Sequence, residues 1–356
     1  MALVRSEYVF RLLSVLGLLA QWGAMAANGT LLSLMVTSWE GQFPNGVPMK
    51  TTWTGLWPFD YVLGLLVAFF YPLLNATDLD NPAPILLLTD LLISLSVFNY
   101  MAAVEGRRRK DTSLLRYPAA WQLAWQFFGA ATIMPIYLHS YIKARVSHTA
   151  SLTTDQANIL PFTAVWTVLT NLLLLIPGVM GASPFVIQLC IVVWFFLPLA
   201  TEFVQNRVSP LFTYYRPNRA YNPVLIGYGI VGSLSAIVHV VVGLWACNSL
   251  EMSWARMYWP AYSAVKPGPS LLLLGGTLFC QYGHMSLCSS VIALAAYTVS
   301  WDTSVTKPPQ GTSRAGHLIV STIVLTVVFG PGTGAAWLLY RREMEINKSF
   351  AATKDL

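Results

Sequence analysis

The hydrophobic positions along this chain fall in long runs rather than in stripes. Nearly unbroken apolar stretches occupy about 55–74, 84–104, 119–142, 160–176, 184–205, 223–246, 270–299 and 317–340. Each is near the ~20 residues that an α-helix needs to cross bilayer hydrocarbon. A further apolar stretch, about 8–36, is broken at Asn28-Gly29-Thr30. It lacks a small-residue cleavage site followed by a soluble domain, so it reads as a retained anchor rather than a signal peptide. The pattern predicts an all-α fold, a polytopic membrane bundle of eight or nine transmembrane helices forming one integral membrane domain over residues 1–356.

Composition supports that class. Only 10% of residues are charged and 55% are hydrophobic, with mean hydropathy +0.57, whereas a soluble domain carries about 25% charged residues. The 13 Trp, 16 Tyr and 17 Phe exceed what two interfacial belts require. The net charge of +6 sits in short loops and tails, where it speaks of topology and not of a nucleic-acid partner. The sequence has no phosphate-binding loop, dinucleotide fingerprint or zinc spacing, so no cofactor and no metal is expected. Cys190, Cys247, Cys280 and Cys288 form no CxxC pair and read as buried free thiols.

Loop charge sets the orientation. The run Glu105-Gly106-Arg107-Arg108-Arg109-Lys110 leaves one face, and simple alternation puts the Arg341-Arg342 tail on that face and the Asp78/Asp80 loop opposite. The positive-inside rule then makes the C-terminus cytosolic, in a protein of the endoplasmic reticulum. The loop carrying Arg207, Arg216 and Arg219 falls on the other side and contradicts the rule. A glycosylation sequon at Asn75 would be lumenal.

Four membrane carboxylates are candidate catalytic groups, because insertion of a charge costs at least ~3 kcal/mol and such residues are seldom kept without a use. Asp60 stands among Trp57, Phe59 and Tyr61. Alternation puts it in one layer with Glu105, and puts Asp90 and Glu202 in another, more than ~10 Å away at 1.5 Å rise per residue. Each has a plainer explanation: Asp60 at a helix N-terminus favoured by the dipole, Glu105 in an interfacial ion pair, Asp90 in an interhelical hydrogen bond, Glu202 snorkelling. His239 and His284 lie near mid-membrane, where a satisfied polar contact competes with ligand binding. Gln122, Gln126 and Gln281 could orient an oxygen-bearing ligand or bridge helices. Asp78-Leu79-Asp80 is spaced by two and stands in a loop, which is poor ligation for magnesium diphosphate.

Three segments together resemble a known family. Trp57-Pro58-Phe59-Asp60-Tyr61, Glu105-Gly106-Arg107-Arg108, and Trp125-Gln126-Phe127-Phe128-Gly129-Ala130-Ala131 with Pro135-Ile136-Tyr137 are similar to fungal transmembrane terpene cyclases of meroterpenoid pathways, nearest the ascochlorin and ascofuranone cyclase type. The resemblance covers the first 145 residues or so and implies a metal-independent cyclase. Its substrate would be a lipophilic prenylated phenol, entering from the membrane lipids, whose terminal farnesyl epoxide is protonated and cyclised through a carbocation. Burial that disfavours an ionised acid, cation-stabilising rings and a dry cavity suit that chemistry. On this reading Asp60 donates the proton with Glu105 as partner, and Asp90 and Glu202 are the reserve. The candidate substrate-binding residues are Trp57, Phe59, Tyr61, Trp125, Gln126 and His284. A transporter of a lipophilic metabolite, expected to show inverted repeats, and a sterol-type isomerase are the competing classes.

Overall fold

The computed structural model describes residues 2–75, 82–108, 114–145, 152, 154–212, 222–248, 252–305 and 312–354. These residues are helical almost throughout, and among them there is no β-strand. Helix α1 (Ala2–Leu18) passes through a π-helical turn (Leu19–Gly23) into α2 (Ala24–Ala27). The chain then continues as α3 (Thr30–Glu40), α4 (Trp57–Leu74), α5 (Ala83–Arg108), α6 (Pro118–Phe128), α7 (Ala130–Arg145) and α8 (Thr154–Asn158). It is completed by α9 (Leu160–Val179), α10 (Pro184–Val208), α11 (Pro223–Asn248), α12 (Trp254–Tyr258), α13 (Leu271–Val305), α14 (Thr312–Phe329) and α15 (Pro331–Lys354). The break at Asn28-Gly29-Thr30 is real: Gly29 adopts φ +82°, and Asn28 Oδ1 accepts hydrogen bonds from Thr30 N (3.0 Å) and Oγ1 (2.6 Å) to start α3.

Among the described residues, seven helices are long and apolar enough to cross a membrane: Ser6–Ala27, Trp57–Leu74, Ala83–Arg108, Gln156–Val179, Pro184–Phe212, Pro223–Asn248 and Leu271–Thr298. The all-α membrane bundle stands, but two of the stretches expected to cross, 119–142 and 317–340, are each broken into two helices by one glycine. Gly129 has φ +88° and Gly330 has φ +89°, a conformation that glycine alone adopts without penalty.

The first break folds α6 and α7 back on each other. Tyr137 meets Trp121 and Trp125 edge-on at 5.3 and 5.6 Å. Both open ends of the pair lie at the end of α5. There Pro118 packs on Gly106, and the Tyr141 hydroxyl accepts from Arg342, which also binds Glu105. At 1.5 Å per residue, α6 is about 16 Å long and α7 about 24 Å, each short of the ~30 Å hydrocarbon core. Residues 118–145 therefore enter and return. The α14–α15 pair behaves likewise, turning at Gly330 against the His239 ring and coming back to Glu105 through Arg342.

This turn-back corrects the sequence-derived layers. With 119–142 returning instead of crossing, α10 ends beside α5: Arg107 Nη2 donates to Gln205 Oε1 at 2.6 Å. Helix α11 starts at the same end, where the Tyr100 hydroxyl donates to Val224 O at 3.1 Å. Arg207 thus shares a face with Arg107 and Arg108, and the conflict with the positive-inside rule disappears. Arg109, Lys110, Arg216, Arg219 and the Asp78/Asp80 loop lie outside the described residues.

Helix α5 is the hub, buried along nearly its whole apolar length. One face turns Asp90 and Ser94, four residues apart and so neighbours on a helix, towards α11, where Ser94 and Ser235 hydroxyls pair at 3.3 Å. Another face presents Leu88, Leu91, Leu95 and Asn99 to a cavity. The turn-back is testable in a variant lacking the four native cysteines. Single cysteines at Leu114 and at Lys143 are expected to react with an impermeant maleimide from the same side of sealed vesicles; a crossing segment would put them on opposite sides.

Candidate active site

Three elements converge on Asp90 of α5. Its Oδ2 accepts from the Tyr258 hydroxyl of α12 at 2.9 Å, pairs with His239 Nδ1 of α11 at 2.8 Å and lies 3.3 Å from His284 Nε2 of α13. The last contact is close but not aligned as a hydrogen bond, and among the described residues His284 Nε2 and the other Asp90 oxygen, Oδ1, are buried without a hydrogen-bond partner. The two imidazoles are nearly parallel, centroids 5.9 Å apart, with the Tyr258 ring 4.7 Å from His284. Cys288 Sγ lies 3.8 Å from His284 Nδ1. The short α12 is held in place by Ser253, whose hydroxyl accepts from Arg256 N, and by Gln281, whose Nε2 donates to Arg256 O and Met257 O at 2.9 and 3.1 Å. Gln281 is thus a bracket for the segment that delivers Tyr258.

Asp90, His239 and His284 each present one ligand atom within 4.8 Å of the others. Two imidazoles and a carboxylate are also the donor set of a transition-metal site.

Beside this cluster runs a largely apolar cavity, concave and mostly apolar as small-molecule sites are. Trp22, Phe69, Phe70, Trp125, Trp194 and Phe279 give it aromatic walls. Its wall includes Leu91 and Gly283, the immediate chain neighbours of Asp90 and His284. Among the candidates read from sequence, Trp125 and Gln126 line this cavity, while His284 joins Asp90 behind its wall.

The other candidates stand elsewhere. Asp60 is buried, and both its oxygens are engaged by the loop before α4: Oδ1 accepts from Trp53 N (3.1 Å), Thr54 N (2.6 Å) and Thr54 Oγ1 (2.9 Å), and Oδ2 from Gly55 N (3.0 Å). Trp57 and Phe59 are 65% and 64% exposed, facing away from the bundle, and Tyr61 stacks on Trp57 at 5.9 Å. Glu105 lies fully buried in a group of four charges. Arg342 Nη1 donates to its Oε1 at 3.0 Å and Arg108 Nη1 at 3.4 Å, while Arg108 grips Glu343 with both nitrogens. Glu202 is exposed and lines a polar pocket with Arg107, Gln122 and Gln205.

The structure brings neither expected pair together. The loop that binds Asp60 is tied to the start of α10, where Lys50 N donates to Gln188 Oε1 at 2.9 Å. Glu105 belongs to the end tied to Gln205, 17 residues further on, about 25 Å along the helix. Glu202 shares the end with Glu105, and Asp90 lies 15 residues, about 22 Å, back along α5. The partners of Asp90 are His239, His284 and Tyr258 instead. Sequence reasoning noted both histidines singly and missed Tyr258, which no periodicity marks.

A family model, the CtvD domain, matches residues 5–346. The chain belongs to the CtvD domain family. Among curated relatives, Terpene cyclase DEP1 of Fusarium langsethiae is 26% identical over 366 residues, covering 96% of this chain and 99% of the relative. Terpene cyclase DEP1 of Alternaria brassicicola is 25% identical over 365 residues, covering 95% and 98%. Terpene cyclase alnG of Emericella nidulans is 23% identical over 324 residues, covering 83% and 82%. No solved structure matches. The resemblance carried by three N-terminal segments thus extends over nearly the whole chain.

The four buried charges yield a stability prediction. Removing one partner strands a buried charge at a cost of about 3–5 kcal/mol, whereas apolar replacement of a whole pair is close to neutral. Thermal unfolding in detergent should therefore show Glu343→Ala strongly destabilised, and Arg108→Met/Glu343→Leu recovering most of the loss.

Proposed function

We propose that this chain is a membrane terpene cyclase that protonates the terminal epoxide of a farnesylated aromatic substrate and closes the ring through a carbocation, without a metal ion. The observation that carries the reading is the buried group of Asp90, His239, His284 and Tyr258 behind the wall of an aromatic cavity. The family and its curated terpene cyclases support the reaction class.

Among the candidate acids Asp90 is the one whose surroundings can hold and release a proton. One carboxylate with one protonated imidazole is neutral as a unit, which avoids burying a net charge. When that proton passes to the epoxide oxygen, a C–O bond breaks, the oxygen becomes a hydroxyl and the positive charge moves to carbon. The cluster left behind carries the balancing negative charge, so no net charge is created in the bilayer. Alkenes or a hydroxyl then attack the cation, hydride or methyl shifts can follow, and a proton lost at the end returns to the cluster; the net reaction is an isomerisation. The aromatic walls stabilise the migrating cation by roughly 0.5–2 kcal/mol per ring, and the apolar lining disfavours the water that would quench it.

The lipophilic substrate enters from the bilayer of the endoplasmic reticulum. The arginine-rich end of α5, and the C-terminus with it, faces the cytosol, supported by the gathering of Arg107, Arg108 and Arg207 there.

Microsomes bearing Asp90→Asn are expected to convert an epoxyfarnesyl phenol at least ~100-fold more slowly than wild type at equal expression, the scale of a general acid, and wild type should leave the parent alkene untouched. Undiminished turnover by Asp90→Asn would sink the assignment. Asp60→Asn tests its rival: normal product places Asp60 in the loop, and lost product with intact folded yield returns it to the reaction. Turnover should also survive exhaustive chelation; loss on chelation with recovery on adding a divalent ion would favour the metal reading of the same three residues.

A further inference from the structure

Three amide oxygens around the aromatic cavity have no hydrogen-bond partner among the described residues. Gln21 Oε1, Asn99 Oδ1 and Gln126 Oε1 are each buried and unpaired, and all three residues line that one cavity. They come from three different elements: the π-turn after α1, the middle of α5 and the end of α6. An acceptor left bare in an apolar interior costs about 1–3 kcal/mol, so three in one otherwise apolar space are a sizeable penalty that a ligand with donors would lift.

The geometry around Gln21 sets its orientation. Its Nε2 donates to Phe279 O at 2.9 Å, which fixes the amide plane and leaves Oε1 as the free end. Gly129, at φ +88°, stands directly beside that oxygen, and a Cβ at this position would collide with it and with Phe279. The π-turn that carries Gln21 is itself a rare conformation that recurs at functional sites. Asn99 is nine-tenths buried on the cavity face of α5, eight residues from Leu91, which is about 12 Å along the helix. The lining contains no Lys, Arg or His, so nothing there compensates an anionic head.

We propose that Asn99 and Gln126 bind the hydroxyl groups of the substrate's aromatic head, with Gln21 standing at the Gly283 wall towards the reacting end, and that this cavity selects a neutral ligand rich in hydrogen-bond donors over one whose oxygens are alkylated or ionised. The proposal rests on the cyclase reading for its substrate and adds to it the residues that choose the head group. Asn99, about 12 Å along α5 from the Leu91–Gly283 wall, is placed to hold the aromatic head while the prenyl chain lies along α5 towards Asp90.

The test compares an epoxyfarnesyl dihydroxybenzene with its dimethyl ether, in turnover and in equilibrium binding to detergent-solubilised enzyme. Wild type should show a KM for the ether roughly tenfold or more above that for the free phenol, the equivalent of about 1.4 kcal/mol, with kcat far less affected. Asn99→Leu and Gln126→Met should raise KM for the free phenol by a similar factor and leave the ether unchanged. Equal KM values for the two ligands, or variants that weaken both alike, would overturn the proposal and leave the amides to water. Because Asp90→Asn blocks the chemistry, its binding is measured too. Discrimination between phenol and ether that persists in that variant supports the amide site independently of turnover, whereas discrimination in a wild-type protein that converts neither ligand would keep the binding site and remove the cyclase reading.

Discussion

Two carboxylates and two guanidinium groups, shut away from water at the end of α5, hold the architecture in register. Glu105, Arg108, Arg342 and Glu343 sum to zero charge, and each is at least nine-tenths buried. Such a group is tolerated only while its charges stay matched, because any one left alone would face the desolvation penalty unpaired. It joins α5 to α15 directly and reaches α7 through Tyr141. Both returning helix pairs, 118–145 and 312–354, therefore have an end fixed at one point. Once those ends are fixed, the turns at Gly129 and Gly330 are positioned inside the bundle, where the first stands beside Gln21 and the second packs against His239. The charged end thus locates both the amide-lined cavity and the Asp90 cluster from about 22 Å away.

Much of the fold was legible in the runs of apolar residues, because a bilayer demands long helices whose backbone groups are internally satisfied. The runs could not reveal where a helix turns back. An interrupted stretch such as 119–142 is as apolar as a crossing one, and a single glycine inside it has two meanings until a positive φ is seen. That one ambiguity moved every later helix to the wrong face in the sequence reading and set Arg207 against the positive-inside rule. The second returning pair, 312–354, is a second uncounted reversal, which is why the C-terminal residues nevertheless fall at the same end as Arg107 and Arg108.

The site was legible in its parts and not in their assembly. Asp90, His239, His284, Trp125 and Gln126 all stand out as polar or aromatic residues in apolar helices, but which of them meet is decided by helix rotation, and the weak amphipathicity of these segments gives no rotational signal. Asp60 drew attention through the aromatic residues around it. Those residues face outward, and the carboxylate is instead occupied by three consecutive backbone N–H groups, an arrangement that follows from a loop folding back over a helix start and that no periodicity encodes.

The placement of charge also distinguishes the two polar groups of α5. At the Glu105 end, two acids are matched by two permanent cations, so no proton needs to be held and none can leave without stranding a charge. At Asp90 the matching groups are imidazoles, whose charge is a choice, and a tyrosine hydroxyl, which donates without being a cation. A carboxylate among arginines is fixed; a carboxylate among histidines can exchange one proton while the buried unit alternates between neutral and singly negative. In a medium that penalises net charge, the alternation is supportable only if a positive charge appears nearby at the same moment. A carbocation forming on the other side of Leu91 and Gly283 would supply it, and the aromatic walls of the cavity would hold that charge until the proton returns.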